Sequence, residues 1–244
     1  MFRSFTLTSI LCLVAVACAS TPGARPHDMS AVQHEGEGQS HAATADSHAA
    51  QYQPNLIRES IRCSPKGGGR ASTDSGTECW TVASNPTAEH LSMAQEHRRH
   101  ASDHRAASAT LRGVEVRACI GISADDRDTS PFDRVDDIAS VRALTKRMGT
   151  NKAPFQRTIG AVVTFRAVPG MTAEWLQRVV NCHLARNASL GHPTDEMPNC
   201  PLAPDGARAR VTSTGSGFDV AIRSDDPSTA REILSRAKRL QSAP

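Results

Sequence analysis

The sequence predicts an α+β protein in which a small two-layer sandwich follows a long helical segment and a disordered N-terminal tether. Three observations give this class. Period-two apolar runs alternate with helical ones over residues 133–241, residues 85–124 are rich in helix formers, and residues 18–55 hold few large apolar side chains. With 39% hydrophobic residues, a compact core is expected for only part of the 244-residue chain.

Residues 1–17 have the layout of a secretory signal peptide, with Arg3 before an apolar run over residues 10–17. The run ends Ala15-Val16-Ala17-Cys18, which resembles the lipobox of bacterial lipoproteins. The resemblance implies acylation of Cys18, a membrane partner through that anchor, and a place in the periplasm or cell envelope. Ala19 after the cysteine favours the outer membrane. Ordinary cleavage without a lipid is the alternative, and it also exports the chain.

The tether over residues 18–55 carries histidines at a spacing of seven residues: His27, His34, His41 and His48. One interpretation is a low-complexity linker with incidental histidines. The other is a loose metal-collecting tract, since imidazole and carboxylate are ligands that Zn and Cu accept.

Residues 56–84 contain Cys63 and Cys79 around a glycine run. The run lacks the context and the Lys-Ser/Thr ending of a phosphate loop, so we predict a small hairpin closed by a Cys63–Cys79 disulfide.

The helical segment over residues 85–124 presents a seam with alternating steps of four and three residues. Its members are Met93, His97, His100, His104, Ala107, Leu111, Val114 and Ala118, and His90 extends it backwards. Imidazoles spaced at i+3 and i+4 share a helix face and can reach one ion, so His90, Met93, His97, His100 and His104 are the candidate metal ligands. The thioether of Met93 favours copper, and zinc is compatible. A solvated helix face and a pH-sensitive packing seam are the alternatives.

The C-terminal region predicts strands at residues 138–144 and 159–168, a helix at 173–188, a hairpin of strands at 207–214 and 218–223, and a last helix from Asp226-Pro227 to residue 240. This order predicts a mostly antiparallel sheet with both helices on one face.

Gly170-Met171-Thr172, between the second strand and the first helix of this region, is similar to the metal loop of heavy-metal-associated domains. The resemblance implies a ferredoxin-like topology. Ala173 and Leu176 stand at the two cysteine positions of that family, so the resemblance does not transfer the metal site.

A second group of side chains comprises Cys182, His183, His192, Met197 and Cys200. A Cys182–Cys200 disulfide is the favoured interpretation and a Cys/His metal site the alternative. Cys119 is then the odd thiol: buried, displacing a partner in one of the pairs, or joining the histidine seam.

These features predict an envelope protein that binds copper or zinc for storage, resistance or delivery. The alternative is a non-enzymatic interaction module with an envelope protein partner and solvent-exposed histidines. An enzyme is disfavoured because no G-x-S-x-G elbow occurs and Asp103 stands at the wrong offset for a zinc-protease helix. A nucleic-acid partner is disfavoured because the charge of +3 includes no long basic run.

Overall fold

A computed structural model describes residues 29–65, 76–151 and 153–241. The predicted signal peptide, Cys18, His27 and the glycine run of residues 67–69 lie outside these ranges. Within them, no helix is both long enough and apolar enough to cross a membrane.

The first structural unit is an antiparallel pair of helices, α1 (Ala31–Gln51) and α2 (Ala88–Ala118), joined through the strands β1 (Arg58–Pro65) and β2 (Thr77–Ser84). Helix α1 begins at a capping box, in which Ser30 accepts a hydrogen bond from the Gln33 backbone and Gln33 accepts one from the Ser30 backbone. The strands pair antiparallel with Cys63 opposite Cys79, and the predicted disulfide between them is present.

Helix α1 corrects the prediction of a disordered tether over residues 18–55, because residues 31–51 are helical. The composition suggested disorder since this segment has two glycines and no Leu, Ile or Phe. Packing along α2 supplies the stabilisation that the segment lacks by itself.

The second unit is the predicted sandwich. Its strands are β3 (Ile138–Thr150), β4 (Ala153–Arg166), β5 (Arg208–Ser213) and β6 (Gly217–Arg223), and its helices are α4 (Ala173–Ser189) and α5 (Pro227–Arg239). The strands form one antiparallel sheet in the order β3-β4-β6-β5. The short helix α3 (Ala124–Asp128) connects the two units. The α+β class and the element order are therefore as predicted.

One face of the sheet carries the main core. Alternate residues of β4 and β6, such as Val163 and Ile222, pack with Leu176 of α4 and Ile233 of α5 in a single buried cluster. Because both helices contribute to that cluster, both cover the same face.

The C-terminal end of α2 contacts α4 through three kinds of interaction. Cys119 forms a disulfide with Cys182, the Arg186 guanidinium lies 3.2 Å from the Glu115 carboxylate, and Leu111 packs with Ala188. The predicted Cys182–Cys200 disulfide is therefore wrong. Cys182 turns towards the end of α2, while Cys200 is a buried free thiol whose Sγ lies 3.9 Å from the Ser130 hydroxyl.

Replacing Cys119 with Ser should lower the free energy of unfolding by about 3–4 kcal/mol, because this disulfide closes a loop with a sequence separation of 63 residues. Urea unfolding of the oxidised protein measures the loss. As a control, Cys200→Ser should leave both disulfides intact in non-reducing peptide maps. A peptide linking Cys182 to Cys200 in the wild-type chain would contradict the pairing.

Candidate functional site

Six histidines meet in pairs between α1 and α2, and we call this set the histidine ladder. The Nδ1 atoms of His34 and His104 are 3.0 Å apart, those of His41 and His97 are 3.0 Å apart, and those of His48 and His90 are 3.2 Å apart. Each pair is one rung. Successive rungs are one heptad apart on both helices, so the antiparallel register places each imidazole opposite another.

Small residues occupy the heptad positions between the rungs and just beyond the His34–His104 rung. They are Ala31, Gly38 and Ala45 on α1 and Ala94, Ala101 and Ser108 on α2, all of them buried. A Cβ at Gly38 would lie 3.3 Å from the Ala101 carbonyl oxygen, which shows how closely the two backbones approach there. The Ser108 hydroxyl also donates to the Ala31 carbonyl at 2.8 Å. This close approach brings the facing imidazoles within hydrogen-bond distance.

Ring contacts connect one rung to the next. The His41 ring stacks on His104 at a centroid distance of 5.6 Å, and the His48 ring stacks on His97 at 5.6 Å. His100 lies beside the ladder, with its ring centroid 5.2 Å from that of His41. The seven imidazoles therefore form one continuous zigzag between the helices.

Burial increases along the ladder towards the sandwich. His48 and His90 at the outer end are half-buried, whereas His34 is fully buried and His104 is 4% exposed. The Nε2 atom of His34 is one of the buried side-chain polar atoms that lack a hydrogen-bond partner within the described residues. An unpartnered buried nitrogen is costly in free energy.

Burial in the ladder favours the neutral imidazole at His41 and His104. Burial lowers the pKa of His41, and the neighbouring His100, His97 and His104 lower it further, while Glu37 opposes them. The pKa of His104 is also lowered, first by burial and then by His34, against Glu37 and Asp103. A neutral pair can share one hydrogen between its nitrogens, whereas a doubly protonated pair has no acceptor.

Neutral imidazole nitrogens are also the form that binds transition metals. Two ligand nitrogens at about 2.0–2.1 Å from a tetrahedral ion stand about 3.3 Å apart. The rungs would widen by only a few tenths of an ångström to admit one. Within the described residues no group of three or more His, Cys, Asp or Glu forms a ready metal site, so each rung offers two nitrogens and leaves the other positions open.

The structure distributes the predicted ligands between the ladder and its flank. His90, His97 and His104 are ladder residues, whereas His100 and Met93 lie one position away, beside Ala101 and Ala94 of the buried seam. The predicted seam is therefore only partly in the interface between α1 and α2. One of its members, Val114, is 42% exposed.

Three ladder residues, His34, His41 and His48, are predicted only within the flexible tether, either as incidental histidines or as a loose metal-collecting tract, and not opposite α2. Their spacing of seven residues was the available signal, together with Ala31, Gly38 and Ala45 at the complementary heptad positions.

The second group of side chains does not form a site of this kind. Cys182 is in a disulfide. The His183 Nε2 lies 2.8 Å from the Asp126 carbonyl oxygen, and burial lowers the pKa of this histidine. His192 is held by the Ala203 carbonyl at 2.9 Å. Cys200 is buried, and burial raises the pKa of its thiol.

Comparison of the chain with protein-family models, with curated proteins and with solved structures finds no significant match.

Two glycines of α1 allow a matched test of the close approach. Gly38→Leu should push the helices apart and destabilise the helix pair by about 1–2 kcal/mol net, because overpacking outweighs the gain in helix propensity. Gly36→Leu, at a position where an added Cβ meets nothing within 4 Å, should stabilise α1 by about 0.5–1 kcal/mol. Urea unfolding followed by circular dichroism measures both. Equal effects of the two substitutions would contradict the packing.

Acid should release α1 from α2. Folding lowers the pKa of His41 and His104, so the unfolded chain binds more protons. The stabilisation is therefore complete above the ordinary pKa of 6.5 and is lost as pH falls through the lower folded-state values. Hydrogen exchange of α1 peptides, corrected for the intrinsic effect of pH, should show progressive loss of protection as the pH falls below 6.5.

The double variant His41→Gln/His97→Gln removes the middle rung, which contains His41, and should reduce this pH dependence. His192→Gln, outside the ladder, is the control and should retain it. Unchanged α1 protection across the range in the wild-type chain would show that the ladder does not respond to protons.

Proposed function

We propose that this chain is an envelope protein that binds copper or zinc on the histidine ladder, for storage, resistance or delivery. The observation that carries the proposal is the alignment of three facing imidazole pairs whose nitrogens lie 3.0–3.2 Å apart.

The coordination chemistry favours exchangeable binding. A closed site of four protein ligands holds a structural ion, whereas two imidazoles leave positions for water or for a donor from another molecule. His100 beside His41 supplies a third imidazole to the middle rung after a side-chain rotation. Met93, on the same flank of α2 as His100, adds a soft donor near the outer rungs and supports copper over zinc.

The envelope location is supported by the cysteine chemistry. Both disulfides, Cys63–Cys79 and Cys119–Cys182, suit an oxidising compartment. The signal peptide over residues 1–17 and the lipid on Cys18 remain expectations from the sequence.

Metal retention by the tag-free chain from residue 19 onward tests the proposal. After dialysis against a weak chelator, we expect up to three Cu(I) or Zn ions per chain, one for each rung. The triple variant His34→Gln/His41→Gln/His48→Gln should lose as much metal as His90→Gln/His97→Gln/His104→Gln, because each removes one side of every rung. Elemental analysis gives the stoichiometry, and circular dichroism checks that the helices persist.

His192→Gln, outside the ladder, is the matched control and should retain the full complement. Metal loss confined to the α2 triple variant would show that the ion binds on α2 alone, at the histidines of that helix, and would contradict binding across the rungs. A wild-type chain that retains no copper and no zinc would overturn the function.

An interaction module is the second candidate, favoured by the β1–β2 hairpin. Ile61 and Trp80 are 74% and 47% exposed on this hairpin, on opposite faces. Binding of a partner through this hairpin would persist in both triple variants and would be lost in Ile61→Ser. Pull-down of the partner from an envelope fraction would measure that binding. The burial of His34 and His104 weighs against the version of this candidate in which the histidines face solvent.

A further inference from the structure

The hairpin formed by β3 and β4 extends beyond the sheet as a two-stranded ribbon. Strand β4 pairs with β6 only over Gly160–Arg223 to Arg166–Gly217, whereas its pairing with β3 continues out to Thr150 opposite Ala153. A register shift at Leu144/Thr145 marks the point where the ribbon leaves the sheet. We call residues 145–150 and 153–158 the distal ribbon.

One face of the distal ribbon combines cations with apolar side chains. Lys146 stands directly opposite Arg157, and two residues further out Met148 stands opposite Phe155. Residues opposite each other in an antiparallel pair lie on the same face, and a step of two residues keeps that face. Phe155 is 56% exposed, and Lys146 is exposed as well.

The charge of this region has one sign. Between Asp137 and Glu174 the sequence contains no Asp or Glu, while it contains Lys146, Arg147 and Arg157 in the distal ribbon alone. Two like charges directly opposite on one face destabilise strand pairing, so an anion that contacts both Lys146 and Arg157 would stabilise the ribbon.

We propose that the distal ribbon docks on the surface of a membrane that contains anionic lipids. The cation pair lies about 7 Å along the strands from the apolar pair, which suits phosphate contacts by the cations while Met148 and Phe155 enter the boundary between headgroups and acyl chains. Each cation near such a surface adds to binding.

A nucleic-acid strand fits this surface less well. Single-strand binding surfaces stack successive bases on several aromatic rings, and the distal ribbon has only Phe155. The two disulfides also favour a compartment outside the cytoplasm. The proposal does not depend on the histidine ladder or on an acyl group at Cys18.

Vesicle sedimentation of the unacylated chain from residue 19 onward, which includes every described residue, tests the docking. We expect binding to vesicles of equal parts phosphatidylglycerol and phosphatidylcholine, weakening with added salt, and little binding to pure phosphatidylcholine. Lys146→Glu should weaken the partition coefficient by about tenfold. Arg210→Glu, an equal charge reversal at an exposed position of β5, should leave it within about twofold.

Insertion of the apolar pair has its own readout. The emission of a Phe155→Trp variant should shift to the blue when anionic vesicles are added, whereas emission from the wild-type Trp80 and Trp175 gives the background. Phe155→Ser should weaken binding without changing the circular dichroism spectrum. Both substitutions are at an exposed ribbon position, so loss of binding reports on the surface and not on the fold.

Three results would overturn the proposal. One is equal loss from Lys146→Glu and Arg210→Glu. Another is absence of binding to anionic vesicles by the wild-type chain. The third is binding to single-stranded DNA, but not to vesicles, that Lys146→Glu abolishes, which would identify the ribbon as a nucleic-acid surface.

Discussion

Each rung of the histidine ladder must share a single hydrogen between two facing Nδ1 atoms, and the pairing of α1 with α2 depends on that constraint. The requirement holds for neutral imidazoles and fails when both members of a rung are protonated. Few large apolar side chains contribute to this interface: beyond the rungs, α1 buries Ala31, Gly38 and Ala45. The protonation state of the imidazoles therefore contributes to whether α1, a helix of 21 residues, stays docked.

The small residues and the imidazoles act together. Ala and Gly bring the backbones close, and close backbones bring the ring nitrogens to hydrogen-bond distance. A larger side chain between the rungs would separate nitrogens that are now 3.0–3.2 Å apart. The alternation of small residue and histidine on both helices thus encodes the geometry of the candidate site as well as the register of the pair.

Sequence reasoning succeeded where local signals were strong. The apolar run over residues 159–168, the helical pattern over residues 173–188 and Asp226-Pro227 each predicted the element that the structure contains. It failed for α1, because the stabilising partner of that helix is 40 or more residues away and the segment itself is poor in apolar residues. It also gave Cys182 the wrong disulfide partner. The contact between α2 and α4 places the Cα atoms of Cys119 and Cys182 4.6 Å apart, and no local sequence pattern indicates that contact.

The disulfide between Cys63 and Cys79 has a kinetic consequence for the helix pair. It sits in the connection between α1 and α2 and holds the two arms of that connection together even when the helices separate. The released α1 then explores a smaller volume, so its effective concentration near α2 stays high and recapture is fast. Opening of the helix pair is thereby kept brief and local, because the disulfide returns α1 to α2 before the rest of the chain can rearrange.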